Sequence, residues 1–147
     1  MVSIQIDGNP YEAEEGQTIL EVADDNKIRI PTLCNYKAVS PYGACRLCVV
    51  ELEQRNGNKL VTACTMPAVE GSKIFTDTDM VNSSRRMTVE LLLSRCPEEL
   101  VLLELAEQYK IGETRFKNKD DNCILCGLCV RMCEKMGSYA INFQGRG

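Results

Sequence analysis

Apolar and polar residues alternate in short stretches over the first half of the chain, and this period of two predicts β-strands. A capping box, Thr18 with Glu21, precedes an apolar helical face and predicts a helix that ends near Asn26. Asn56-Gly57 lies between two apolar stretches and is a strong hairpin signal. The predicted strands are 2–6, 11–13, 49–53, 59–63 and 71–76, with a turn at Gly8-Asn9-Pro10.

The second half of the chain has a helical period. Apolar residues recur at helical spacing from Met80 to about Ser94, and Cys96-Pro97-Glu98-Glu99 has the composition of a second helix start. That helix should end between Tyr109 and Gly112, before a polar connection over residues 113–121, and Tyr139–Phe143 suits a short strand. A strand pair, a helix, a hairpin and a closing strand follow one another in a β-grasp domain. We therefore predict an α+β protein with a β-grasp domain over residues 1–78 and a helical linker plus a cysteine-rich segment over residues 79–147.

The composition of the chain limits which metal sites, catalytic groups and binding functions are possible. The 147 residues include nine cysteines and no histidine, and the formal net charge is −4. Without histidine, His-containing zinc sites, Rieske-type ligation and histidine general bases are all excluded. The acidic balance argues against nonspecific nucleic-acid binding, which needs a basic face. The N-terminus lacks secretory features and no eighteen-residue apolar window occurs, so we expect a cytoplasmic protein without a membrane span whose cysteines serve metal or redox chemistry.

Four cysteines near the C-terminus have the spacing of a bacterial ferredoxin motif. Cys123, Cys126, Cys129 and Cys133 are separated by two, two and three residues, which predicts a half-ferredoxin motif that binds a 4Fe–4S cluster. In two-cluster ferredoxins the cysteine after the three-residue gap ligates the other cluster. We therefore favour Cys96 as the fourth ligand, because a helix N-terminus would lower its pKa, and keep Cys133 as the alternative. A further alternative is that Cys96 is a buried cysteine that binds no metal.

A first group of cysteines lies upstream. Cys34, Cys45, Cys48 and Cys64 supply four thiolates with a two-residue gap in the middle and a distant fourth member, as in plant-type 2Fe–2S ferredoxins. Gly43 and its small neighbours would let backbone N–H groups turn toward sulfur. A four-cysteine zinc site is the alternative, but zinc ribbons present two Cys-x-x-Cys pairs and Cys64 has no such partner. We therefore predict a 2Fe–2S cluster at this group.

With these motifs, the chain resembles the N-terminal region of the large iron–sulfur subunit of complex I, of iron-only hydrogenases and of NAD-linked formate dehydrogenases. The resemblance is carried by Ile30–Cys34, Gly43–Cys48, Cys64, Arg85–Met87, Leu91–Ser94 and Asp121–Cys129. Those relatives hold a further 4Fe–4S cluster with one histidine and three cysteines after the Leu-Leu-Leu-Ser segment. Here Cys96 stands near the histidine position and the three cysteines are missing, so the resemblance implies that this cluster is absent.

The resemblance implies a short electron-transfer subunit of a hetero-oligomeric complex. It would relay single electrons between a flavin-containing NAD(P)H-linked subunit and a further redox subunit, as in electron-bifurcating hydrogenases or transhydrogenases. The chain has no nucleotide-binding fingerprint and no nucleophile–base pair, so we expect no catalysis by the chain alone. A free diffusible ferredoxin and a zinc-stabilised structural adaptor are the alternatives. Arg46 and Arg131 could raise the potential of a cluster or form surface ion pairs, and we expect ion pairs.

Overall fold

The computed structural model describes residues 1–119 and 121–145 and confirms the α+β class. Asp120, Arg146 and Gly147, which belong to the predicted second segment, lie outside the described residues. The strands are β1 (Val2–Ile6), β2 (Asn9–Ala13), β3 (Val49–Leu52), β4 (Lys59–Thr62) and β5 (Lys73–Phe75), and the helices are α1 (Ile19–Asp25), α2 (Asp79–Arg95), α3 (Leu100–Gln108) and α4 (Leu128–Lys135).

The five strands form one mixed sheet in the order β2-β1-β5-β3-β4. β1 pairs with β5 in parallel, and the other neighbours are antiparallel. The last strand in sequence therefore lies between two hairpins, which is the arrangement expected for a β-grasp sheet. The first hairpin turns earlier than predicted, because β2 begins at Asn9 and pairs it with Ile6.

Helix α1 begins where the capping box predicted. The Thr18 hydroxyl accepts a hydrogen bond from the Glu21 N–H at 3.3 Å, and the Glu21 carboxylate accepts one from the Thr18 N–H at 2.8 Å. Asn26 ends the helix, as predicted. The apolar face of α1 packs on the sheet and forms the first core with side chains from β1, β3 and β5. This core includes Ile19, Leu20 and Val22 of the helix and Ile4, Ile6, Val50 and Ile74 of the strands.

A second core joins α2 and α3 to the loop that carries the first cysteines. Val89, Leu93, Leu102 and Leu105 pack there with Leu47, which belongs to that loop. This core contains residues from both sides of the boundary predicted at residue 78, and the division into two domains stays a prediction.

The predicted helix start at Cys96 is wrong. Cys96 is the C-cap of α2, where its N–H donates to the Leu92 carbonyl, and α3 begins only at Leu100 with Glu99 as its N-cap. The three residues from Pro97 to Glu99 form the turn between the helices. Proline and acidic residues suit such a turn as well as a first helical turn, so composition alone did not separate the two.

The polar connection runs beside the C-terminal turns of α2, in the same direction as the helix. Arg115 binds the Glu90 carboxylate, and the N–H groups of Lys119 and Asp121 donate to the carbonyls of Ser94 and Arg95. The strand predicted at Tyr139–Phe143 does not form, because the sheet in the described part of the chain is built entirely from strands between residues 2 and 75. No helix in the described part of the chain is both long and apolar enough to cross a membrane.

Candidate iron–sulfur sites

The first cysteine group lies at one end of the sheet. Cys34, Cys45 and Cys48 belong to the long loop between α1 and β3. Cys64 lies in a turn two residues after the end of β4. The Ala63 N–H donates to the Cys48 carbonyl at 3.0 Å, which brings Cys64 beside Cys48.

All four thiols of this group are buried, and their sulfurs are neighbours. The Cys34 sulfur lies within hydrogen-bonding reach of the Cys45 and Cys64 thiols, and the Cys48 sulfur lies within reach of Cys64. These contacts lower the pKa of Cys34 to about 2 and that of Cys48 to about 7, and they raise the pKa values of Cys45 and Cys64. A lowered thiol pKa favours the thiolate, which is the form that binds metal.

Backbone N–H groups also point at these sulfurs, as the loop composition predicted. The Cys45 N–H donates to the Cys34 sulfur at 3.5 Å, and the Ala44 N–H also points at this sulfur. The turn that makes this possible has two residues with positive φ, Gly43 at +66° and Arg46 at +58°. N–H donors stabilise the charge of a sulfur-ligated centre and tune its potential.

The donor set of the first group fits a 2Fe–2S centre. It consists of four thiols with N–H donors to sulfur, which matches the four-cysteine ligation of plant-type 2Fe–2S clusters. No three Cys, Asp or Glu side chains in the described ranges are grouped as ligands of a single metal ion. The fit therefore rests on the sulfur donors and their neighbours.

The second cysteine group lies on the loop before α4 and on α4 itself. Cys123 and Cys129 are exposed, Cys126 is half-buried and Cys133 is buried. Leu125 and Gly127 have φ values of +56° and +73°, which wrap the loop tightly before α4 begins. Cys123 and Cys126 lie on the loop, whereas Cys129 falls in the first turn of α4 and Cys133 in its last turn, four residues later on the same face of the helix.

The structure brings Cys96 to the edge of this loop. The backbone N–H of Cys123 donates to the Asp121 carboxylate at 3.2 Å and lies close to the Cys96 sulfur, and Cys96 shares the second core with Cys126. The expected pKa depression is wrong, however: burial, and then the Asp121 carboxylate, raise the pKa of Cys96, because this residue ends a helix and does not begin one. The Cys133 sulfur accepts a hydrogen bond from the Ala140 N–H at 3.2 Å.

Two arginines that hold the second loop were missed or misinterpreted from the sequence. Arg95 donates through Nε to the Cys123 carbonyl at 2.6 Å and forms an ion pair with Asp121. The ion pairs expected for Arg46 and Arg131 are not found among the described residues. Arg131 instead donates to backbone carbonyls, and no sequence signal distinguishes an arginine with a carbonyl partner from one with a carboxylate partner.

Comparison with known proteins finds one matching family and several relatives of this chain. Residues 1–79 match the family described as "2Fe-2S iron-sulfur cluster binding domain". The whole chain is 31% identical, over 173 aligned positions, to 25% of the NADH-ubiquinone oxidoreductase 75 kDa subunit of Reclinomonas americana. It is 35% identical, over 96% of its length, to 29% of the NADP-reducing hydrogenase subunit HndD of Solidesulfovibrio fructosivorans. The chain thus spans less than a third of the length of these curated relatives.

A solved structure is similar over nearly the whole fold. A chain of an NAD+-reducing [NiFe]-hydrogenase in the H2-reduced state superposes with a TM-score of 0.86 and 28% identity, covering 99% of this chain and 71% of that chain. The resemblance inferred from the cysteine motifs is therefore confirmed, and the 2Fe–2S prediction has the support of the family match over residues 1–79. The chain belongs to the family of 2Fe-2S iron-sulfur cluster binding domains.

Proposed function

We propose that this chain is the electron-transfer subunit of an NAD(P)-linked oxidoreductase complex. It would hold a 2Fe–2S centre with Cys34, Cys45, Cys48 and Cys64, and pass single electrons between a flavin-containing NAD(P)H-linked subunit and a further redox subunit. The observation that carries the proposal is the buried set of four neighbouring thiols with N–H donors aimed at sulfur. The relatives support the setting, because their names describe NADH- and NADP-linked oxidoreductase and hydrogenase subunits.

A second centre, of the 4Fe–4S type, completes the proposed relay. Cys123, Cys126 and Cys129 supply three ligands, and Cys96 is the favoured fourth. Two observations support Cys96: its sulfur lies close to the Cys123 backbone, and it packs in the same apolar cluster as Cys126. Cys133 is the alternative ligand, and its buried sulfur receives the Ala140 N–H.

In this function the protein binds the two clusters, excludes water from them and fixes the distance between them. Iron–sulfur clusters supply reversible one-electron reduction without bond chemistry on a substrate. The second core keeps water away from Cys34, Cys45 and Cys96, and all three are buried. N–H donors around the sulfurs make the reduced, more negative state easier to reach. The proposed partners and hetero-oligomeric assembly are supported by the relatives, whose names are those of subunits.

The test is anaerobic purification followed by iron and sulfide quantification and low-temperature EPR of the reduced protein. Two clusters of these types require about six irons per chain, with low-potential signals near roughly −400 mV for a plant-type centre. Zinc without iron or sulfide would refute the proposal in favour of a structural adaptor. A monomer that forms no complex under gentle purification would favour a diffusible ferredoxin.

A matched pair of variants tests the fourth ligand of the second centre. We expect Cys96→Ser to lose or convert the 4Fe–4S signal while the 2Fe–2S signal remains, and Cys133→Ser to retain both signals. The reverse outcome would assign the ligand to Cys133. Both residues are buried cysteines, so the two variants impose a similar change on packing and differ in their distance from the Cys123 loop.

A further inference from the structure

Arg131 joins the two cysteine groups through a single side chain. It lies on α4, between the second loop and the first, and its Nη2 donates to the carbonyl of Cys34 at 2.5 Å and to the carbonyl of Cys126 at 3.4 Å. Its Nε donates to the Gly127 carbonyl at 3.3 Å, and its Nη1 donates to the Ser40 carbonyl. One guanidinium thus contacts the backbone of a proposed ligand from each centre.

The geometry of these contacts requires arginine. A guanidinium is planar and rigid and carries five donors, so it can bind several carbonyls at once, whereas a lysine ammonium is a point charge on a flexible stem. The Tyr42 ring covers the same group, with its centroid 5.3 Å from the Arg131 Cζ. The side chain is therefore held in one position by both loops and by an aromatic face.

The charge of Arg131 is not neutralised at close range. All four of its hydrogen-bond acceptors are neutral backbone oxygens, and the described residues place no carboxylate within 4 Å of its guanidinium. A half-buried positive charge with neutral partners lowers the energy of any negative charge that arrives nearby. Each cysteine group would gain negative charge when a bound cluster accepts an electron.

We propose that Arg131 is the positioning residue of the relay: it fixes the spacing between the two cysteine loops and stabilises the electron at either centre. The redox part of this proposal rests on the proposed function. In that function one electron leaves one centre and reaches the other, and no bond is made or broken. The route through Arg131 is short: the Cys34 carbonyl, one nitrogen and the Cys126 carbonyl. Electron tunnelling falls steeply with distance, so a fixed spacing sets a fixed rate.

Lys135 provides a matched control on the same helix. It lies one turn after Arg131 and donates to the Ala38 carbonyl of the first loop. It therefore also ties α4 to that loop and carries the same charge, but this hydrogen bond reaches only one of the two cysteine groups. Removing Lys135 changes the net charge by the same amount as removing Arg131, but it removes only one hydrogen bond and leaves the bridge between the groups in place.

The experiment compares the wild-type chain with Arg131→Met, Arg131→Lys and Lys135→Met, each loaded with iron and sulfide. In fully reduced wild-type protein, two paramagnetic centres at a fixed spacing should broaden or split each other's EPR signals. We expect Arg131→Met to weaken this interaction and to shift both midpoint potentials to more negative values. Arg131→Lys should leave both midpoint potentials close to those of wild type, because the charge remains, but it should weaken the magnetic interaction because the spacing is no longer fixed. Lys135→Met should retain the magnetic interaction.

Amide hydrogen exchange provides a readout that does not depend on the second cluster. Arg131→Met and Arg131→Lys should both speed exchange in the loop of Cys34 and in the loop of Cys126, while Lys135→Met should affect only the first loop. Equal exchange and equal EPR coupling in Arg131→Met and Lys135→Met would overturn the proposal. A wild-type chain with about two irons would refute the second centre of the proposed function, and the exchange arm would still decide whether Arg131 bridges the loops.

Discussion

Replacement of Gly127 by alanine tests whether the second loop needs a left-handed residue in a crowded position. Gly127 is the N-cap of α4 with φ of +73°, and it directly follows Cys126. A Cβ added there would lie 3.3 Å from both the Phe143 Cζ and the Tyr42 Cε1. The change therefore imposes two costs at one residue, a strained backbone and a close approach to two rings.

The magnitude follows from these two costs. A left-handed conformation costs an L-residue about 1–2 kcal/mol. Overpacking costs about 1–3 kcal/mol, and the lower end applies because both neighbours are ring atoms that can tilt. Alanine also restricts the unfolded chain, which offsets about 0.4–1 kcal/mol. We expect Gly127→Ala to lower the free energy of unfolding by about 2 kcal/mol, the balance of these three contributions.

Two other glycines separate the contributions. Gly137 has φ of +74° with no atom within 4 Å of its added Cβ, so Gly137→Ala carries the backbone cost without the crowding. Gly112 has neither feature, and Gly112→Ala should be neutral or slightly stabilising. Urea unfolding followed by circular dichroism, under anaerobic conditions, should rank the variants Gly127→Ala, Gly137→Ala, Gly112→Ala from least to most stable. Equal midpoints for Gly127→Ala and Gly112→Ala would refute the reasoning.

A double variant tests whether the added methyl group at position 127 is crowded by the Tyr42 ring. Tyr42→Leu removes one of the two rings that the new methyl group meets, so the double variant Gly127→Ala/Tyr42→Leu should be less destabilised than the sum of the single variants. Iron content should follow the same order at the second centre, because Gly127 sets the direction in which the chain leaves Cys126. Strict additivity would mean that the cost at Gly127 comes from the backbone alone.

Three further predictions concern the scaffold. Thr18→Ala removes half of the capping box and should cost about 1 kcal/mol, with Thr18→Ser as the conservative control in the same urea assay. Leu102→Ala, at a side chain with 0% exposure in the second core, should cost about 2–5 kcal/mol and speed iron loss from the first centre; unchanged iron retention would contradict a shared core. Hydrogen bonds from Arg115 lower the pKa of Glu90 to about 2, so the stability that this contact contributes is complete above pH 4.5 and is lost as pH falls toward 2. Glu90→Gln should therefore lose less stability than wild type between about pH 5 and pH 3, and parallel pH profiles would show that the contact does not matter.

Local signals in the sequence predicted the elements that local interactions decide. The Thr18 capping box, the Asn26 stop and the Asn56-Gly57 hairpin depend on residues a few positions apart, and each occurs where predicted. The segment from Tyr139 to Phe143 shows the limit of such signals. Its composition suits a strand, but a strand exists only beside another strand that supplies ladder hydrogen bonds, and the sheet in the described part of the chain does not extend to this segment.

The candidate sites divide in the same way. Cysteine spacing could identify the two groups, because ligands on one loop are close in sequence. It could not predict the environment of Cys96, since Pro97 and the following glutamates predicted a helix start and the chain instead turns there. The contacts of Arg95 and Arg131 were also beyond prediction, because their acceptors are backbone carbonyls 28 and 97 positions away in sequence.

The second core explains why two cysteine groups far apart in sequence can act together. Cys34 and Cys45 of the first group, Cys126 of the second group and Cys96, the proposed fourth ligand, all pack in this one apolar cluster, around side chains such as Leu102. A shared apolar core has low mobility, so it holds both groups at a constant separation, and it excludes water from the space between them. The polar backbone of the two loops meets at the edge of this core, where Arg131 supplies donors that water would otherwise provide. Hydrophobic packing therefore sets the distance between the two groups, and Arg131 fixes the position of one loop relative to the other.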